Sequence, residues 1–151
     1  MTHFELRTRP ATPNDVAFLR ELHHRAYRDV VLRQFGSWDE AQQDHYFERS
    51  LAEAAFFVIE HGDLPVGALG VAETDAEIFL SEIQILPEWQ NRGIGTKFLA
   101  SEIERARRLA KPLRLRVLRE NSAKRLYERH GFVVSGETET HLLMALRLDS
   151  D

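Results

Sequence analysis

The sequence contains no cysteine among its 151 residues. This absence excludes disulfide bonds, zinc sites built on thiolates and cysteine nucleophiles. The seven histidines show neither the HxxxH nor the HExxH spacing that is typical of metal ligands on a helix. We therefore expect no metal site, and we expect chemistry that proceeds without a covalent cysteinyl intermediate.

Long apolar runs are also missing. The longest is AAFFVI, residues 54–59, whereas a helix needs about 20 apolar residues to cross a bilayer. The first ten residues, MTHFELRTRP, lack the basic-then-apolar pattern of a signal peptide. These features predict a soluble, cytoplasmic protein that has no membrane partner.

Neither sign of charge is in large excess. The chain has 24 acidic and 20 basic residues, a net charge of −4 and a pI near 6.0. A nucleic-acid-binding domain needs a basic face, so we expect no nucleic-acid partner, although residues 105–116 are locally basic. The length and the 43% hydrophobic content are those of one ordinary globular domain, which we expect to span residues 1–151.

Alternating apolar and polar residues predict about seven strands, and apolar residues at helical spacing predict about four helices. The predicted strands are residues 4–9, 55–61, 66–73, 77–86, 113–118, 132–137 and 140–148. The predicted helices lie between Thr12 and Gly36, over residues 38–52, from Gly93 through Ala110, and between Asn121 and Gly131. The order of elements indicates an α/β (α+β) domain whose second to fourth strands form an antiparallel meander.

The helix predicted over residues 38–52 has the weakest pattern. Its apolar side is expected to consist of Trp38, Ala41, His45 and Leu51. The helix before it has a stronger start, because Thr12 and Asp15 flank a proline in the arrangement of a capping box.

The segment Gln90–Gly95, QNRGIG, joins a predicted strand to a predicted helix. Such a loop directs unpaired N–H groups and the positive end of the helix dipole toward one point. Gly93 and Gly95 would let a phosphate approach the backbone, or they could serve only an ordinary turn. A dinucleotide fingerprint would need glycine at Phe98, and a P-loop would need GK followed by Ser or Thr; neither pattern is present.

A second segment, NSAKRLYERHGF at residues 121–132, follows QNRGIG after one long helix and one strand. Both resemble motifs of the GCN5-related N-acetyltransferase (GNAT) superfamily: QNRGIG its acyl-CoA loop, Q/R-x-x-G-x-G/A, and residues 121–132 its Asn…Tyr…Gly-Phe segment. Residues 85–89, ILPEW, also resemble the family's strand, proline, acidic residue and aromatic. The resemblance implies a three-layer GNAT fold with a mixed, mostly antiparallel sheet that splays between strands four and five.

The resemblance further implies that acetyl-CoA is the acyl donor and lies in the splay. The backbone of Ile83 and Ile85 would pair with the pantetheine arm. The residues expected to hold the pyrophosphate are Gln90, Asn91, Arg92, Gly93, Ile94, Gly95 and Thr96. The residues expected to contact the pantetheine or the adenosine phosphate from the other wall are Asn121, Ala123 and Lys124, with Tyr127 beside the thioester sulfur.

For catalysis, the resemblance implies that Tyr127 is the general acid for the departing thiolate; the alternative is a tyrosine that only packs on the sheet. Glu82 is the candidate general base or amine binder, since apolar neighbours could raise its pKa. It could instead be a structural carboxylate, and a bulge could redirect it. Trp38 is a candidate for the acceptor pocket, whereas Tyr27 and Tyr46 are interpreted as packing aromatics.

These observations favour an N-acetyltransferase that passes the acetyl group directly to a primary amine in a ternary complex, with a small-molecule acceptor. A protein or peptide acceptor is an alternative. A non-catalytic acyl-CoA-binding regulator, or an ordinary α/β binding domain with a structural glycine turn, would also fit the pattern. A homodimer is expected from the resemblance alone.

Overall fold

The computed structural model describes residues 5–147, so Phe4 and Leu148 of the predicted first and last strands lie outside the described residues. The strands are β1 Leu6–Pro10, β2 Ala55–His61, β3 Leu64–Glu73, β4 Ile78–Ile85, β5 Leu113–Leu118, β6 Phe132–Glu137 and β7 His141–Leu146. The α-helices are α1 Val16–Phe35, α2 Glu40–Glu53, α3 Ile94–Leu109 and α4 Ala123–Arg129. Short 3-10 turns, Pro13–Asp15 and Pro87–Trp89, precede α1 and the loop before α3.

The seven strands form one sheet in the order β1-β2-β3-β4-β5-β7-β6. All neighbouring pairs are antiparallel except β4 and β5, which run parallel. These two strands pair only where Ile78–Leu80 meets Leu113–Leu115. Beyond that point the strands separate, and the sheet opens into a wedge. The predicted α/β class and the splay between strands four and five are confirmed.

The sheet lies between two helical layers. On one face, α3 packs its apolar stripe, including Leu99 and Ile103, against the inward residues of β5 and against Phe132. On the other face, Leu19 and Leu22 of α1 and Phe47 of α2 pack against β2 and β3. None of the helices within residues 5–147 is long and apolar enough to cross a membrane.

The start and end of α1 follow the predicted pattern. The Thr12 N–H donates to Asp15 Oδ2 at 2.7 Å, and Arg9 donates to both carboxylate oxygens of Asp15 at 2.8 Å. These bonds to a buried carboxylate hold the pKa of Asp15 well below its usual range. Gly36 ends the helix in the left-handed conformation, with φ 79°.

The apolar side predicted for α2 was wrong. The helix begins at Glu40, and it buries Gln43 and Phe47, with Leu51 half-buried on the same side. Ala41 and His45 are exposed. Residues four apart share a helix face, so Gln43 and Phe47 mark the side of α2 that faces inward.

Candidate active site

A cleft of about 1080 Å³ occupies the wedge between β4 and β5. Its walls come from β4, β5, the loop before α3, and the start of α4, and α1 and α2 cover it from the side. Most of the residues singled out in the sequence line this cleft: Glu82, Ile83, Ile85, Gln90, Asn91, Gly93, Ile94, Gly95, Thr96, Asn121, Ala123 and Tyr127.

The loop that leads into α3 is shaped by Gln90 and Gly93. The Gln90 side chain donates to the Ile85 carbonyl at 3.0 Å, which ties the loop to the end of β4. Gly93 precedes the helix in the left-handed conformation, with φ 79°, and Asn91 also has a positive φ of 62°. The first helical turn therefore directs its unpaired N–H groups into the cleft.

The geometry of the turn does not require the glycine found at Gly95. It has no positive φ, and a Cβ built there would meet only Ile83 Cγ2, at 3.9 Å. The fold would therefore accept a side chain at this position. What the glycine leaves is open space in front of the helix N-terminus, which suits a phosphate rather than a neighbouring protein atom.

The side chains of three predicted residues do not line the cleft. Arg92 lies over the Trp89 ring, 4.7 Å from its centroid, and Lys124 is 3.9 Å from Glu128. Trp38 lies before α2, with its ring centroid 5.4 Å from that of His24. The structure brings none of these three side chains to the other candidates.

The second wall of the cleft carries Tyr127. Asn121 Oδ1 accepts from the Ala123 N–H at 2.9 Å and fixes the start of α4. The Tyr127 ring packs edge-on against Phe132, with centroids 5.9 Å apart. Burial, followed by the nearby charge of Glu82, raises the pKa of Tyr127 to about 12. The hydroxyl is therefore protonated at neutral pH.

A β-bulge in β4 sets the direction of Glu82. Gly70 of β3 pairs with Glu82, whereas Val71 pairs with Leu80, so Ser81 is the extra residue. Gly70 makes room for it, because a Cβ there would stand 2.6 Å from Ser81 Oγ. Beyond the bulge, Glu82 points to the α1 face of the sheet, opposite Ile83.

Three side chains hold the carboxylate of Glu82. The Tyr27 hydroxyl and Gln84 Nε2 (3.3 Å) donate to Oε2, and Ser50 Oγ lies 3.4 Å from Oε1. Burial raises the pKa of Glu82 to about 7, against these bonds and the charge of Arg116, which lower it. A carboxylate with this pKa can gain or lose a proton at neutral pH.

A buried chain of hydrogen bonds continues from Glu82 into the helices. Gln84 Nε2 lies 3.3 Å from His23 Nδ1, and His23 Nε2 lies 3.2 Å from Gln43 Oε1. Burial lowers the pKa of His23, so the ring is neutral. Since Gln84 donates to Nδ1, the ring proton sits on Nε2, and this N–H donates to Gln43 Oε1. These hydrogen bonds fix the side chain of Gln84, which in turn holds the carboxylate of Glu82.

Residues 52–134 match the family described as Acetyltransferase (GNAT) domain. The chain belongs to this GNAT family. The resemblance that QNRGIG and residues 121–132 carry is thereby confirmed.

Solved GNAT-fold structures superpose on nearly the whole chain. PaiA N-acetyltransferase from Thermoplasma acidophilum, solved in complex with coenzyme A, has a TM-score of 0.75 at 17% identity, over 95% of this chain and 99% of that one. A GNAT family acetyltransferase from Elizabethkingia anophelis with acetyl-CoA bound has a TM-score of 0.65 at 14% identity, over 95% and 98% of the two chains.

An acetyltransferase from Thermus thermophilus has a TM-score of 0.72 at 21% identity, over 94% of this chain and 96% of that one. At these identities the likeness establishes the fold. No curated protein matches the sequence significantly.

Several residues that surround Glu82 in the cleft were not singled out from the sequence. Tyr27 was interpreted as a packing aromatic, but its hydroxyl donates to Glu82. His23, Gln43 and Gln84 also went unnoticed, although each is a buried polar residue. Buried polar groups need hydrogen-bond partners, and their burial is not visible in the sequence pattern.

A metal is not indicated by the described part of this GNAT domain. Residues 5–147 contain no group of three or more histidine, aspartate or glutamate side chains that could hold a metal ion.

Proposed function

We propose that this GNAT protein is an N-acetyltransferase that moves the acetyl group of acetyl-CoA to a primary amine of a small molecule, by direct attack in a ternary complex. The observation that supports this most is the pairing of two groups in one cleft. Glu82, with a pKa of about 7, and Tyr127, with a pKa of about 12, both face the wedge between β4 and β5.

Two further features of the cleft support binding of the acyl donor. Gly95 leaves open space in front of the N–H groups of α3, and the β5-facing edge of β4 is unpaired beyond Leu80. The pyrophosphate would lie against the main chain of residues 90–96. The backbone of Ile83 and Ile85 would receive the pantetheine arm, and Asn121 and Ala123, at the start of α4, would flank it.

The bound thioester supplies the carbonyl carbon that the amine attacks. Glu82 accepts the proton that the attacking amine must lose, while the Tyr27 hydroxyl and Gln84 hold its carboxylate in place. The Tyr127 hydroxyl donates a proton to the sulfur as the C–S bond breaks. Backbone N–H groups at the open edge of β4 stabilise the negative charge that develops on the carbonyl oxygen.

Replacing Tyr127 with phenylalanine tests the proposed acid. We expect Tyr127→Phe to lower kcat by about 100-fold, a common contribution of general acid catalysis. Acetyl-CoA affinity should change little, because the ring and its packing on Phe132 remain. Titration calorimetry would give the affinity, and thiol release with a panel of small amines and a peptide would give kcat.

Tyr46→Phe is the matched control, because Tyr46 also lines the cleft but its hydroxyl accepts from Gln42 at 3.0 Å rather than bonding to Glu82. An unchanged kcat in Tyr127→Phe would remove Tyr127 from the mechanism. Tight acetyl-CoA binding with no thiol release from any amine would favour a regulator that only binds acyl-CoA. Failure to bind acetyl-CoA would point to an ordinary α/β binding domain.

A further inference from the structure

Arg116 is a cation without a carboxylate partner in the cleft. It alternates on β5 with the buried residues Leu115 and Val117, and its side chain therefore projects from the opposite face of the strand. It lines the cleft, is exposed, and forms no ion pair with any carboxylate of residues 5–147. Arg114, two residues earlier on the same face, is paired with Glu77 at 3.3 Å.

Within the cleft, a gap separates the side chain of Arg116 from the carboxylate of Glu82. Arg116 and Glu82 both line the cleft, and the charge of Arg116 lowers the pKa of Glu82, yet the two groups do not come within ion-pair distance. Tyr27 and Ser50 hold Glu82 on the α1 and α2 side of the cleft. The gap is therefore bounded by a base at one end and a guanidinium at the other.

His141 stands beside Arg116 on the next strand. The cross-strand partners are Arg116 with Leu143 and Leu118 with His141, so all four side chains share one face. Burial, followed by the charge of Arg116, lowers the pKa of His141, and its ring is neutral. Thr140 Oγ1 lies 2.8 Å from Nδ1; with the hydroxyl as donor, the ring proton sits on Nε2.

We propose that Arg116 and His141 bind an anionic group of the acceptor, so that the acceptor is an amine carrying a carboxylate or a phosphate close to its nitrogen. This rests on the proposed N-acetyltransferase function. A guanidinium presents a fork of N–H donors that matches both anions. With the anion on Arg116, the amine would reach across the gap to Glu82.

Two other readings of Arg116 are less consistent with the structure. The glycine loop and Ile83 belong with α3 on one face of the sheet, whereas Arg116 shares the opposite face with Glu82. It is therefore placed for the acceptor rather than for the donor's pyrophosphate. An acceptor with a second ammonium group would bring like charges together, which disfavours diamines.

The test compares amines that differ only in the second group. The full chain would be assayed by thiol release from acetyl-CoA with L-alanine and L-alaninamide, with O-phosphoethanolamine and ethanolamine, and with 1,4-diaminobutane. In at least one pair we expect kcat/KM to be about 10-fold or more higher for the anionic member, as a charge-assisted hydrogen bond implies. Which pair responds distinguishes a carboxylate from a phosphate.

Arg116→Gln should abolish that preference, chiefly through KM, and should leave the acetyl-CoA affinity unchanged. Arg116→Glu should shift the preference toward 1,4-diaminobutane. Arg114→Gln removes the same charge from the same strand face outside the cleft, and should keep the wild-type preference.

The inference is overturned if wild type does not prefer an anionic amine. It is also overturned if Arg116→Gln slows all amines equally, since Arg116 would then act only on Glu82, or if it weakens acetyl-CoA binding. If acetyl-CoA does not bind, or no amine releases thiol, the proposed function fails and this inference fails with it. Acetylation without anion selectivity would leave the function standing.

Discussion

Stability and the proposed chemistry make opposite demands on the carboxyl group of Glu82. Burial raises its pKa from 4.5 to about 7. Below pH 4.5 the group is protonated in both the folded and the unfolded chain, and its contribution to stability is fully present. Between pH 4.5 and about 7 the unfolded chain has lost the proton while the folded chain keeps it, so the free energy of unfolding falls with pH. The loss is complete once the buried carboxyl ionises, above about pH 7. The base is thus present at a cost to the fold.

Glu82→Gln should therefore be more stable than wild type at pH 8, by about 1–3 kcal/mol, and the difference should shrink toward pH 5. The glutamine carbonyl can still accept from Tyr27, so that hydrogen bond survives. Thermal unfolding of both proteins at the two pH values measures the difference. Glu48→Gln, which changes an exposed carboxylate, should show no such dependence on pH.

The same variant should lose most of its turnover. In wild type, kcat should rise with pH through about 7 as Glu82 ionises, and Tyr127, with a pKa of about 12, should stay protonated throughout. In Glu82→Gln that rising limb should be gone. A variant that kept the limb and the rate would show that another group takes the proton.

Local pattern predicts the elements of this fold better than it predicts the contacts between them. The loop before α3 could be predicted from residues 90–95, because a turn between a strand and a helix depends on residues next to each other. The bulge at Ser81 could not, because it depends on the register of β4 against Gly70. The inward side of α2 was missed because polar Gln43 lies on it. Tertiary packing, not propensity, decides such cases.

The network behind Glu82 lies beyond sequence pattern for the same reason. It forms because α1 passes over the ends of both central strands: Arg25 is paired with Glu88 after β4, and Arg33 donates to the Glu120 carbonyl after β5 at 3.0 Å. No spacing in the sequence shows that His23 will meet Gln84. Only the placement of the helix on the sheet does.

The N-terminus of α3 offers a direct test of phosphate binding. Gly95→Glu should fold well, because the position is open and an acidic residue in the first turn favours the helix dipole. The new carboxylate would nevertheless occupy and repel the site of the pyrophosphate. We expect the Kd for acetyl-CoA to rise by about 100-fold or more, as two nearby like charges in a partly desolvated site imply.

Ala100→Glu is the matched control for that variant. It adds the same charge to the same helix at an exposed position outside the cleft, and calorimetry should show nearly wild-type affinity. Equal affinities for Gly95→Glu and Ala100→Glu would mean that the glycine loop does not hold the cofactor.

At the scale of the whole molecule, the sheet consists of two parts joined by a short contact. Within residues 5–147, strands β1–β4 and β5–β7 pair only through the three residues that β4 and β5 share. The core under α3 crosses that junction, since Leu80 of β4 and Leu115 of β5 belong to one cluster. On the other face α1 spans it. Helices therefore bridge the junction on both faces of the sheet.

A ligand in the wedge would therefore take the place of the missing strand pairing. We expect acetyl-CoA to slow amide hydrogen exchange at residues 81–85 and 116–118, while β2, within the sheet, changes little. At 100 times its Kd the ligand should stabilise the fold by about 2.7 kcal/mol, and Tm should rise by roughly 5–10 °C.

Mass spectrometry of exchanged peptides and thermal unfolding at several acetyl-CoA concentrations measure both effects. Gly95→Glu should show neither at the same concentrations. Protection confined to β1 and β2, or a rise in Tm without protection of residues 81–85 and 116–118, would mean that the cofactor binds elsewhere. Protection at both edges would show that the donor completes the sheet that the fold leaves open.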